Sequence, residues 1–145
     1  MPRIKLQIEG DLLFRASLTV RISDINYGNH VGNDAFVSMI HEARMQWLMT
    51  KGFTELDIEG TGLIMSDLVV EFKQECFYGE HLQVDLIKGE VSKVSFELYY
   101  IIYSDRNGTR EKLCNARTGM VCYNYAEKKV SPIPLALTEL LETVL

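Results

Sequence analysis

Apolar and polar residues alternate from Phe14 to Ile22. Phe14, Ala16, Leu18, Val20 and Ile22 are apolar, and Arg15, Ser17, Thr19 and Arg21 stand between them. A period of two predicts a strand with one wet face. Ser23 to Asn33 is rich in Asn, Asp and Gly and predicts a loop. The period then changes. Phe36, Met39, Ile40, Ala43 and Trp47 fall on one face at about 100° per residue, which predicts a helix from Asp34 to Lys51 with Gly52 as its stop. Ala35, Ser38, Met45 and Met49 make the opposite flank soft as well, and the formal charges are only Asp34, Glu42, Arg44 and Lys51. A surface helix carries a charged stripe; this one has to be covered nearly all round.

Strand patterns follow the helix. Leu63 to Phe72 is an apolar run ending at Lys73 and Gln74. Leu82, Val84 and Leu86 alternate with Gln83, Asp85 and Ile87, and Val94, Phe96, Leu98, Tyr100 and Ile102 alternate with Ser95, Glu97, Tyr99, Ile101 and Tyr103. Asn107-Gly108 predicts a hairpin turn, and Cys114 to Tyr125 the returning strand. Tyr78-Gly79-Glu80 and Lys88-Gly89-Glu90 read as turns. Leu137, Leu140, Leu141 and Val144 make the tail from Pro134 to Leu145 a short amphipathic helix. Proline occurs only at Pro2, Pro132 and Pro134, so nothing breaks the middle of the chain. The order is a strand, an apolar helix, then about four antiparallel strands. One sheet covers such a helix only by curling around it, and the helix's open side needs a second subunit. The expectation is an α+β fold of about five strands, one domain over residues 1–145, assembled as a homodimer or homotetramer.

Composition narrows the partners. With 47% hydrophobic and 24% charged residues among 145, the chain reads as globular. A net charge of -5 with no basic stripe argues against a nucleic-acid backbone as partner. A phosphorylated small ligand would need only a few Lys or Arg near one mouth. Cys76, Cys114 and Cys122 show no C-x-x-C or Cys/His spacing, so they read as small buried hydrophobes, with neither disulfide nor metal expected. Neither a signal peptide nor a membrane span is read, and a reducing cytoplasm fits. There is no G-x-S-x-G elbow, no phosphate-binding G-x-x-x-x-G-K-[ST] and no strand-linked G-x-G-x-x-G; no cofactor is expected.

The chemistry concentrates in the loop. Ser23-Asp24-Ile25-Asn26-Tyr27-Gly28-Asn29-His30-Val31-Gly32-Asn33 places acid, amide, imidazole and glycine directly before the helix. A helix N-terminus offers free N–H groups and the positive end of a dipole, suited to a carbonyl oxygen that becomes an oxyanion. The same composition also serves plain capping and turning.

Asp24, Asn26, His30, Val31 and Asn33, then Phe36 and Glu42-Ala43-Arg44, resemble the 4-hydroxybenzoyl-CoA thioesterase-like branch of the hotdog superfamily, whose loop runs Asp-x-Asp-x-x-Gly-His-Val-Asn-Asn. Phe77-Tyr78-Gly79-Glu80 is similar to that branch's Tyr-Gly-Asp turn. The resemblance covers nearly the whole chain. It implies a hotdog fold and hydrolysis of an acyl thioester carried by CoA or an acyl-carrier protein. The family's second loop Asp attacks the thioester or activates water; here that position is Asn26, and Gly28 precedes Asn29 where the family has Gly before His. A neutral amide is neither base nor nucleophile.

Three side chains compete for the role of base. Glu42 is the acid in the middle of the apolar helix, where burial would raise its pKa; a buried salt bridge is the alternative. Asp24 points the same way as Asn26 if the loop is extended, and otherwise caps. His30 acts as base, positions substrate, or is simply packed. His41 and His81 read as surface residues. Backbone N–H at Asn33 and Gly32 would form the oxyanion site, Gly28 and Asn29 would line the substrate, and Ser66 would reach the site across a dimer. Three functions follow: thioester hydrolysis, non-catalytic binding of acyl thioesters, or dehydratase/hydratase chemistry on His30 and Glu42.

Overall fold

The structure is a computed structural model that describes residues 2–145. Six antiparallel strands and two helices form it: β1 Leu12–Thr19, α1 Asn33–Met49, β2 Gly62–Phe72, β3 His81–Val91, β4 Ser95–Arg106, β5 Thr109–Asn124, β6 Lys129–Val130 and α2 Leu135–Glu142. The sheet runs β1-β3-β4-β5-β2, with the short β6 added to β5. It curls around α1 in the hotdog manner.

Register follows the alternation. Ala16 faces Val84, Val84 faces Ile102, and Ile102 faces Cys114, so the apolar set of four strands falls on one face. That face meets Phe36, Met39, Ile40, Ala43, Trp47 and Leu48 of α1. Trp47 is among the largest fully buried side chains. Asn107 and Gly108, both at positive φ, make the two-residue hairpin between β4 and β5. Gly52, at φ +74, donates its N–H to Met49 O at 3.0 Å and ends α1.

Some expectations change. The first strand stops at Thr19, because Ile22–Asp24 form a 3₁₀ turn. The sheet has the expected five strands along its path, with the two-residue β6 as a sixth. Lys88-Gly89-Glu90 is no turn: it lies within β3 at a bulge, where Gly89 passes so close to β4 that an added Cβ would sit 2.7 Å from Glu97 Cβ. The reversal comes later, at 92–94. All three cysteines are free and buried, and burial pushes the thiols of Cys76 and Cys114 up to about 12 and of Cys122 to about 11. They remain protonated packing groups.

α1 is not covered all round. Ser38, His41, Glu42 and Met49 are exposed, and β2, an edge strand, leaves Ile64, Met65 and Phe72 exposed beside it. Among the described residues no helix is long and apolar enough to cross a membrane.

Candidate active site

The loop before α1 is a closed, hydrogen-bonded turn. Ile25 and Val31 bridge, Asn26 N–H donates to His30 O at 3.0 Å, and Asn29, at φ 64, donates to Asn26 O at 3.1 Å. Val31 N–H donates to Cys76 O at 2.8 Å, which fixes the loop to the segment after β2. That segment is itself anchored: Arg106 donates to Glu75 O at 2.7 Å and to Gln74 Oε1 at 3.2 Å.

Asn26 is tied on one side only. Its Oδ1 accepts Gly28 N–H at 2.8 Å in an Asx turn. Its Nδ2 donates to no protein acceptor among the described residues. The side chain packs over Gly32, where an added Cβ would lie 3.5 Å from Asn26 Cβ and 2.7 Å from Asp34 Oδ1. A side chain at the helix N-cap would displace the Asp34 carboxylate, and the Asn26 amide sits against the first turn of α1. Ala35 and Phe36 donate to Gly32 O, whereas the N–H groups of Asn33 and Asp34 have no acceptor among the described residues. Two backbone donors at the dipole's positive end, with an amide N–H beside them, are a place for a carbonyl oxygen gaining charge.

Other expected roles change. Gly32 N–H is not available for an oxyanion, because it donates to Asp24 O at 3.1 Å. Asp24 does not extend alongside Asn26. Its carboxylate is buried and accepts Arg21 N–H at 2.8 Å, capping the 3₁₀ turn. Glu42 is exposed rather than buried, and accepts from Gln46 Nε2 at 2.9 Å one helical turn on. The buried charge of α1 is Arg44 instead. Its Nε donates to Glu55 Oε2 at 3.1 Å and its Nη1 to Tyr100 OH at 3.1 Å, and Tyr100 OH lies 2.7 Å from Thr118 Oγ1. Burial opposes the Arg44 charge, but Tyr100 and Glu55 together hold its pKa above the ordinary value. A cation on the apolar face of a helix demands such a counter-ion; that was the signal in the Glu-Ala-Arg triplet. His41 is exposed as expected, with Nε2 at 2.5 Å from Glu55 Oε1, a close contact without hydrogen-bond alignment. His81 is exposed too, 2.8 Å from Thr19 Oγ1.

The expected site residues divide between two concavities. A groove of about 560 Å³ along α1 brings Asp24 and Glu42 together with Ser38, His41, Met39 and Met45. A smaller pocket of about 220 Å³ holds His30 and Asn33 between Phe36 and the segment Phe72 to Glu75. Phe36 and Phe72 line it, with ring centroids 5.7 Å apart and planes tilted by 60°. Half-buried His30 has Nδ1 at 3.1 Å from Val31 O and Nε2 at 3.9 Å from Glu75. His30 and Glu42 thus line separate spaces, and the pair a hydratase would use is not assembled in one protomer. Gly28 and Asn29 are exposed at the loop tip. Ser66 joins neither concavity. It stands at the β2 bulge between Met65 and Asp67, donating to Gly119 O at 3.2 Å. No group of His, Cys, Asp and Glu suited to a metal ion occurs among the described residues.

Known proteins are similar to this chain in sequence and architecture. The chain is 26% identical over 131 residues to a 1,4-dihydroxy-2-naphthoyl-CoA hydrolase of Crocosphaera subtropica, covering 86% of this chain and 93% of the relative. Among solved structures, a 1,4-dihydroxy-2-naphthoyl-CoA thioesterase from Synechocystis superposes with a TM-score of 0.79 at 24% identity, over 88% of this chain and 94% of the other. A 4-hydroxybenzoyl-CoA thioesterase mutant complexed with 4-hydroxybenzoyl-CoA superposes with a TM-score of 0.78 at 15% identity, over 88% and 97%. The pattern of the Thioesterase-like superfamily matches residues 20–141, and the chain belongs to that superfamily.

Proposed function

We propose that this protein hydrolyses an acyl-CoA thioester to a carboxylic acid and CoA, as a cytoplasmic homodimer or homotetramer. The observation that carries the reading is the pair of N–H groups at Asn33 and Asp34, unpartnered among the described residues, beside the Nδ2 of Asn26, which is free among them too. The thioester oxygen accepts from these donors as water adds to its carbonyl carbon, and the tetrahedral intermediate expels the CoA thiolate. Asn26 acts as a donor to substrate or water. A carboxylate must take the proton from water; Glu42 lines the separate groove along α1, so it serves this thioester only from a second copy packed on that flank. Gly28 and Asn29 at the loop tip border the entering substrate, and His30 positions it in the pocket it shares with Asn33. The named hydrolase relative acts on an aromatic acyl-CoA, and the Phe36–Phe72 pair suits a flat acyl group.

The open flank of α1 and the free β2 edge support assembly of copies. Pairing there would carry Ser66, on its bulge, toward the partner's loop. A second reading, binding without turnover, is favoured by one observation: Asn26 supplies no carboxylate where the resemblance places one.

Thioester turnover followed with a thiol-trapping dye across short, long and aromatic acyl-CoAs tests the reaction. Release of CoA from at least one class is expected. Tight binding with no release from any class supports the binder. Light scattering at micromolar concentration tests the assembly, and a monomer there overturns it.

A further inference from the structure

The N-terminal arm ahead of β1 builds a second cleft beside the pocket of Asn33. Arg3 donates from Nη2 to Phe72 O at 3.2 Å, and Leu6 N–H donates to Glu71 Oε1 at 3.2 Å. The arm is thereby laid against the end of β2. The cleft that results has a volume of about 580 Å³, and Arg3, Lys5, Lys73 and Lys112 line it. Two acids also line it, but both are engaged. Glu71 accepts from Leu6 and from Asn115 and lies 3.4 Å from Lys73 Nζ, and Glu111 lies 3.5 Å from Arg106. Arg3, Lys5 and Lys112 have no carboxylate within ion-pair distance among the described residues. Unpaired cations so concentrated are unexpected in a chain of net charge -5.

Position completes the argument. Phe72, Lys73 and Gln74 line this cleft and also the pocket that holds Asn33 and His30. A ligand whose carbonyl meets the N–H groups of Asn33 and Asp34 can extend past these three residues into the cationic cleft. We infer that the cleft formed by Arg3, Lys5, Lys73 and Lys112 binds the nucleotide phosphates of CoA. The inference rests on the proposed thioester reading and specifies the carrier within it. A concave space of this volume suits a nucleotide, whereas a carrier protein would dock on an open, convex surface. Arg3 and Lys5 lie outside residues 20–141, the span matched by the superfamily, whereas Lys73 and Lys112 lie within it.

The test compares one acyl group as its CoA thioester and as its N-acetylcysteamine thioester, which carries no phosphate. In Arg3→Glu/Lys5→Glu, and separately in Lys112→Glu, the ratio of the two kcat/KM values should fall about tenfold or more, as loss of charge-assisted phosphate contacts requires. High salt should lower the same ratio in the wild type. Partial misfolding cancels within each ratio. An unchanged ratio in both variants overturns the inference, and so does a loss confined to acyl-carrier-protein thioesters. If the wild type hydrolyses neither thioester, the proposed reaction fails, and calorimetry with CoA itself still decides the cleft. Binding weakened about tenfold by Arg3→Glu/Lys5→Glu upholds it, and undiminished binding overturns it.

Discussion

Arg44 and Glu55 form an ion pair, Nε to Oε2 at 3.1 Å, that ties the middle of α1 to the loop following it. Arg44 is almost wholly buried, and its Nη1 reaches Tyr100 OH on β4. Removing one member of such a pair strands the other charge out of water. Glu55→Ala should therefore cost about 3 kcal/mol, read from urea unfolding at fixed protein concentration. Arg44→Met combined with Glu55→Leu should cost about 1 kcal/mol or less, because no buried charge is left unmatched. Equal losses in the two proteins would contradict the pairing.

Trp47 fills the space between α1 and the curled sheet and is 1% exposed. Trp47→Ala should cost roughly 3–5 kcal/mol, the transfer of the ring plus the cavity left behind. A loss below about 1 kcal/mol in the same unfolding measurement would place the indole outside the core.

The site separates into donor and base. Glu42→Gln should lower kcat by at least about 100-fold with the fold intact, as removal of a general base does. Asn26→Asp should keep or raise turnover, since a carboxylate there attacks the thioester or deprotonates water. An inactive wild type made active by Asn26→Asp identifies a binder. If neither change alters turnover, the chemistry lies away from this loop.

Gly32→Ala tests the cradle. A methyl at this N-cap meets Asp34 Oδ1 and the Asn26 side chain, while the backbone conformation itself suits alanine, with φ -74. The Asp34 carboxylate has to move. The expected result is a fall in kcat of about tenfold or more with thermal stability changed by less than about 2 kcal/mol. Unchanged kcat would place the oxyanion away from this N-cap.

Acid stability should report Glu80. Burial works to raise its pKa, but Arg106, the Phe77 N–H, Ser104 and Cys76 together hold it at about 2, below its ordinary 4.5. A depressed carboxylate contributes stability that is present above about pH 4.5 and is lost as pH falls toward 2. Unfolding free energy should decline across that window. Glu80→Gln should be less stable than wild type at pH 7 and show a shallower decline below pH 4.5. Parallel curves would show that other carboxylates dominate.

Much of this protein was legible in its sequence. Period-two alternation in Phe14 to Thr19 and Val94 to Tyr103, the helical spacing of Phe36 to Trp47, and Asn107-Gly108 each specify local geometry through neighbouring residues. The loop before the helix was recognisable for the same reason, because its donors, acid and amide are contiguous. What sequence could not settle was which of those groups remain free. Gly32 N–H is occupied by Asp24 O, and the Asp24 carboxylate by Arg21, because the loop folds back on itself. Glu42 reads as buried from an apolar helix, yet a single sheet covers only one side of α1. Arg44 finds its partners on Glu55 and Tyr100, and Leu6 finds Glu71 at a separation of 65 residues. Periodicity carries burial tendency and element type; the availability of a polar group depends on hydrogen-bond partners brought up by the fold, and only the tertiary structure decides that.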